Sequence, residues 1–165
     1  MFRSKLFAVL TLTLFFSGIA MLDCAVAGEK FKAHGTSIGV EWEQMEIGDE
    51  EGHVVGISKS KQIYIDENTG EKSTSVSIGL LDINPKKGQV SGHGYGVSTY
   101  KDGSKAFRSW DGKAVGKGHW KGTWSVIGGT GKYEGAKGGG TWDSYSLAPQ
   151  HSYLDVEGEV ELAGQ

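Results

Sequence analysis

His93, Tyr95, Arg108 and Trp110 place a titratable ring, a phenol, a fixed cation and an indole on either side of Asp102-Gly103. Such a set can hold a carboxylate or an enolate beneath a flat apolar body. His93, Tyr95 and Val97 share one face of an extended chain, because strand side chains repeat every second residue. A two-residue turn at Asp102-Gly103 sets Tyr95 opposite Trp110 and Val97 opposite Arg108, and the four groups assemble. A three-residue turn makes Ser109 and Phe107 the partners instead, and in a further alternative the four groups are surface residues while Phe107 covers the backbone of Gly94 and Gly96 on the other, core-facing side. The pattern alone leaves both registers open.

Tryptophan supplies the remaining candidates for a ligand wall. Trp120 and Trp124 lie on one face with Gly122 between them, opposite His119, Lys121, Thr123 and Ser125. Large residues flanking a glycine suit the tapered interior of a barrel, as packed core or as the lining of a cavity. Trp42 stands between Glu41 and Glu43. An inward glutamate in an apolar interior would have a raised pKa fit for acid–base work, whereas an outward one is simply solvated, the commoner fate of a charge.

Other chemistries find little support. The five histidines, His34, His53, His93, His119 and His151, show no His-Glu-x-x-His or related metal spacing. A Gly-x-Ser-x-Gly elbow is missing as well, which disfavours hydrolase chemistry. Asp155, Glu157, Glu159 and Glu161 alternate with Leu154, Val156, Gly158, Val160 and Leu162. Same-face carboxylates stand about 7 Å apart along one strand, too far for one compact cation shell, so the comb reads as a solvated face and no metal is expected. In Asp66-Glu67-Asn68-Thr69-Gly70-Glu71 the glycine falls one place early for a calcium loop, which leaves a hairpin.

The elements that must position these residues are strands. Turn signals fall at 48–52, 66–70, 84–88, 102–103, 116–118, 128–138 and 148–151, and no amphipathic helix interrupts them. Short connections between eight strand candidates predict antiparallel neighbours and an all-β, eight-stranded up-and-down barrel of the calycin-like kind, with a β-sandwich as the alternative. The 27 glycines suit bulges and close strand packing.

The densest glycine segment is Gly128-Gly129-Thr130-Gly131-Lys132-Tyr133-Glu134-Gly135-Ala136-Lys137-Gly138. Tyr133 stands where a P-loop needs Ser or Thr, and a Trp-bearing strand rather than a helix follows, so phosphate binding is disfavoured. The motif carried by Gly128, Gly129, Thr130, Gly131, Tyr133, Gly135, Ala136 and Gly138 resembles the glycine-rich turn of the allene oxide cyclase and dirigent-like β-barrel proteins. The resemblance is local in identity and extends over residues 31–162 only as a plan of successive hairpins. It implies a barrel fold and places the chain nearest to bacterial secreted members without assigned activity. No catalytic residue of the cyclases or dirigent proteins maps onto a position here.

At the N-terminus Arg3 and Lys5 precede an apolar run over 6–22, and Ala25-Val26-Ala27 offers small residues for a signal peptidase. A cleaved secretory signal over 1–27 is expected, followed by one barrel domain over 28–165, exported to the periplasm or beyond. The rivals are a retained anchor, for which the run is just short of the roughly 20 residues needed to span a bilayer, and a lipid anchor at Cys24, where Asp23 is ill placed. Processing removes Cys24, the single cysteine. The formal net charge of −3 argues against nucleic acid as a partner. Stable membrane insertion after processing and a required cofactor are not expected, and the sequence leaves the oligomeric state open, a homo-oligomer included.

Three functions fit these features. The first is a barrel that binds a small apolar or aromatic ligand, and the second a cofactor-independent cyclase or isomerase, the reading that the family resemblance implies. The third is a structural envelope protein with a packed interior. Interior volume separates the first two from the third.

Overall fold

The computed structural model describes residues 28–163; the expected signal segment and Cys24 lie outside them. Eight strands run in chain order: β1 (Glu29–Glu46), β2 (Val54–Asp66), β3 (Lys72–Asn84), β4 (Gln89–Tyr100), β5 (Lys105–Gly116), β6 (His119–Thr130), β7 (Lys137–Ala148) and β8 (His151–Glu161). Each pairs with its chain neighbours, and β8 returns to β1 to close an antiparallel barrel. The expected barrel is thus observed, rather than the sandwich. Closure leaves no unpaired edge. Among the described residues no helix is long and apolar enough to cross a membrane.

Turn chemistry sets the registers. Between β2 and β3, Asp66 Oδ1 accepts from the backbone N–H groups of Asn68 (2.9 Å) and Thr69 (2.7 Å), a local hairpin brace. Between β4 and β5, Tyr100 N donates to Ser104 O at 3.0 Å, so the loop holds Lys101, Asp102 and Gly103. Gly103 adopts the left-handed backbone (φ 83°) that a three-residue hairpin asks of its last member.

Inside the barrel, indoles lie flat on the backbone of neighbouring strands. Trp110 of β5 crosses Gly94 of β4 and Gly79 of β3, and donates its Nε1–H to Ser77 Oγ at 2.9 Å. Trp142 of β7 covers Gly122 and Gly112, with its Nε1–H on Thr123 O at 3.1 Å. Trp124, only 5% exposed, divides its Nε1–H between Thr141 O and Glu157 O, each 3.2 Å away. Trp110 and Trp142 meet edge to face at 6.0 Å. An indole buried with its N–H satisfied stabilises the interior without an orphan donor. On β8, Leu154, Val156 and Val160 are buried, as the alternation on that strand requires.

Glycine is therefore a steric requirement at the crossings. A Cβ on Gly79 would stand 2.6 Å from Trp110 Cζ2 and 3.0 Å from Ser58 Oγ, whereas one on Gly116 would meet nothing nearer than His119 Cβ at 4.0 Å. Gly79→Ala is expected to cost about 1–3 kcal/mol, the usual penalty for overpacking, and Gly116→Ala to stay within about 0.5 kcal/mol of the parent. Urea unfolding of both variants checks the contrast, and equal stabilities would contradict flat stacking.

Candidate functional site

Register decides which sequence candidates meet. The β4–β5 ladder pairs Tyr95 with Ser109, Val97 with Phe107, Gly94 with Trp110 and Gly96 with Arg108. Arg108 and Trp110 consequently face the lumen, while His93 and Tyr95 face outward, with Tyr95 64% exposed. The four-residue grouping does not form, because the three-residue turn reverses the facing of one strand against the other. The alternative in which Phe107 covers Gly94 and Gly96 also fails, since Phe107 shares the outer face with Tyr95 and Trp110 covers Gly94.

The other tryptophan candidates divide by height in the barrel. Trp124 sits at the lower end of the lumen, and Trp120 lines its wall. Trp42 occupies the opposite rim, 41% exposed, with its ring over Gly56 and its Nε1–H on Gln44 Oε1 at 2.8 Å. Glu41 points outward and pairs with Lys59 Nζ at 2.7 Å, so it offers no acid or base to the interior.

The glycine-rich turn closes one end. Gly131–Tyr133 form a single 3₁₀ turn that sends the buried Tyr133 ring against Tyr100, at 4.5 Å between centroids. Gly131 is left-handed (φ 60°), and a Cβ there would strike Ser104 Cβ at 2.8 Å. Lys132 reaches across to Glu71 at 2.7 Å and lies 4.7 Å over the Tyr100 ring, which ties the turn to the β2–β3 hairpin. The motif thus builds a floor and touches no phosphate-like site.

Above this floor lies a cavity of about 280 Å³. Trp110, Trp120 and Trp142 line it together with Ser58, Ser60, Ser75, Ser77 and Ser98. Its titratable lining consists of Tyr64 and Arg108. Arg108 Nη2 donates to Tyr100 Oη at 2.9 Å, and its guanidinium carbon stands 5.3 Å from the Phe31 ring and 5.1 Å from the Trp124 ring. Its Nε is buried without a hydrogen-bond partner. Desolvation pushes the Tyr64 phenol up to about 12, an effect the Arg108 charge only partly offsets. Tyr133 is also pushed up, by desolvation and by its hydrogen bond to Tyr100.

Tyr64, Trp142 and the lining serines escape reading from sequence. For the serines the available signal is their alternation along Lys72–Gly79 with the bulkier Val76 and Ile78, which does not say which of the two faces is inward.

A second polar cluster lies on the outer wall, where His119 Nε2 is 2.7 Å from Asp143 Oδ1, Lys121 Nζ is 3.0 Å from the same oxygen, and the His119 ring stacks on Tyr145 at 4.4 Å. Desolvation pushes the Asp143 carboxyl up, and the hydrogen bonds from His119 and Lys121 more than reverse it. These contacts satisfy one another, and Asp143 and Tyr145 also border a cleft of about 290 Å³ that Lys32, Asp155 and Glu157 complete. Among the described residues no group of three or more His, Cys, Asp or Glu side chains is arranged to hold a metal ion.

No family model matches the chain, and no curated protein matches it. Among solved structures it is similar to the pterocarpan synthase dirigent protein GePTS1, with a TM-score of 0.50 and 12% identity over 86% of this chain and 90% of that one. A pyocyanin demethylase aligns with a TM-score of 0.45 and 12% identity over 76% of this chain and 98% of that one. At such identity the dirigent likeness is one of fold: a closed barrel with a lumen.

A phenol whose folded-state pKa lies above its ordinary 10.0 stabilises the fold fully below that pH and loses the contribution as pH rises toward about 12, because the unfolded chain gives up its proton first. Tyr64→Phe should therefore show a shallower fall in melting temperature than the parent between pH 10 and 12. Circular-dichroism melts across that window check it, and identical slopes would contradict a desolvated Tyr64.

Proposed function

We propose that the protein is an exported dirigent-like barrel that binds one small apolar or aromatic molecule in its lumen. The observation that carries this reading is the space bounded by these tryptophans and serines, about 280 Å³, which is near the lower end of ligand pockets and far above a packing void. Indole faces supply stacking surface, and the serine hydroxyls supply orientation. Among the described residues the lining carries no carboxylate and no imidazole, so it favours holding a molecule over acid–base turnover of one. A solid interior, as in a purely structural barrel, would leave no such space.

Export accords with the charged, apolar and small-residue order of the first 27 residues. Self-association is the second part of the proposal. Val76, Ile78, Leu80, Tyr95 and Val97 form an apolar ladder across the outer face of β3 and β4, with Ile78 50% exposed. The ladder is one-sided, for β8 presents Asp155, Glu157, Glu159 and Glu161 to solvent. That asymmetry fits a second copy of the chain better than a surrounding lipid annulus.

Two measurements check these readings. The neutral fluorescent probe N-phenyl-1-naphthylamine should bind the parent, bind Tyr95→Ala about equally and bind Ser60→Phe about tenfold more weakly, since the new ring occupies the space the probe needs. Weakening by Tyr95→Ala alone would move binding to the outer face. Light scattering should give a mass above one chain for the parent and one chain for the Ile78→Lys, Leu80→Lys double variant; a monomeric parent removes the self-association reading.

A further inference from the structure

The lumen holds a positive charge that the protein leaves unanswered. Arg108 lines the cavity, and the hydrogen bond from its Nη2 to Tyr100 is the contact that satisfies it among the described residues. A guanidinium carries five N–H donors in one plane, and here Nε is buried without an acceptor. Phe31 and Trp124 favour the cation through their ring faces, but a ring face accepts no strong in-plane hydrogen bond. Among the described residues no carboxylate lines the cavity, and the raised pKa of Tyr64 keeps that neighbour a neutral phenol. A cation held away from water is costly unless an anion completes it.

We infer that the lumen takes a small aromatic carboxylate, with the carboxylate received by the Arg108 guanidinium. The inference rests on the lumen being the binding site. A flat ring system fits beside Trp110 and Trp142, whose edge-to-face pairing leaves their exposed surfaces lining the cavity. Ser58, Ser60 and Ser75 line the same cavity and can donate to or accept from ring hydroxyls. The volume suits one or two rings and not a long acyl chain folded on itself. Such a ligand would restore charge balance where the fold itself does not.

The test titrates the parent, Arg108→Met and Arg108→Lys with 2-naphthoate and with its neutral counterpart 2-naphthalenemethanol, followed by tryptophan fluorescence and by calorimetry. The parent should prefer the acid by about 10- to 100-fold, the range expected of charge-assisted hydrogen bonds. Arg108→Met should lose that preference while keeping the alcohol affinity, and Arg108→Lys should retain part of it. Equal affinity of the parent for acid and alcohol overturns the inference and leaves lumen binding standing. So does failure of both compounds in a parent that still binds N-phenyl-1-naphthylamine. Failure of that probe as well removes the lumen reading itself. Should Arg108→Met fail to fold, judged by near-ultraviolet circular dichroism, the comparison of acid and alcohol on the parent decides alone.

Discussion

The contact between a tryptophan ring and the glycine backbone beneath it sets the terms for the whole barrel. An eight-stranded barrel has an interior just wide enough for side chains to fill, so indoles can enter only where neighbouring strands surrender their own side chains. Gly79 and Gly94 under Trp110, and Gly112 and Gly122 under Trp142, make that surrender. The rings then lie against the wall instead of across the lumen, and much of the remaining lining is serine, whose side chains are too small to fill the centre. Space is left over in the middle. The heavy glycine content, puzzling as a preference for loops, becomes the counterpart of a tryptophan-rich interior.

The floor makes that space a pocket and not a channel. Tyr133 seals the lower end against Tyr100, and Arg108 sits just above, bonded to the Tyr100 hydroxyl and flanked by Phe31 and Trp124. A turn that looks like a phosphate loop by composition serves to position a cation at the base of an apolar cavity. Dryness of this floor raises the Tyr64 pKa, and the same dryness gives Arg108 more weight than a surface arginine would have.

Much of the architecture was legible in the chain. Turn residues placed the hairpins, and the alternation of β8 oriented its apolar side inward, because there hydrophobic and acidic residues take opposite faces without ambiguity. The site was only half legible. Trp120, Trp124, Trp110 and Arg108 were found, yet His93 and Tyr95 were grouped with them through a turn whose length Asp102-Gly103 does not specify. The harder failure is β3, where the usual rule runs backward: Ser73, Ser75 and Ser77 are buried while Val76, Ile78 and Leu80 are exposed. An inward side that stays small leaves room in the lumen, and the bulky apolar side chains of this strand are turned outward instead. The floor escaped notice for a related reason, since the packing of Tyr133 on Tyr100 joins segments that no local pattern connects.

On this reading the fold maintains a cavity lined by tryptophan and serine, with Arg108 at its base, for a ligand. A crystal structure of the protein grown with 2-naphthoate tests it most directly. The account predicts one ring system in the lumen beside Trp110, its carboxylate within hydrogen-bonding distance of the Arg108 guanidinium. A lumen filled by its own side chains, or the compound bound only along the outer apolar face, would contradict it.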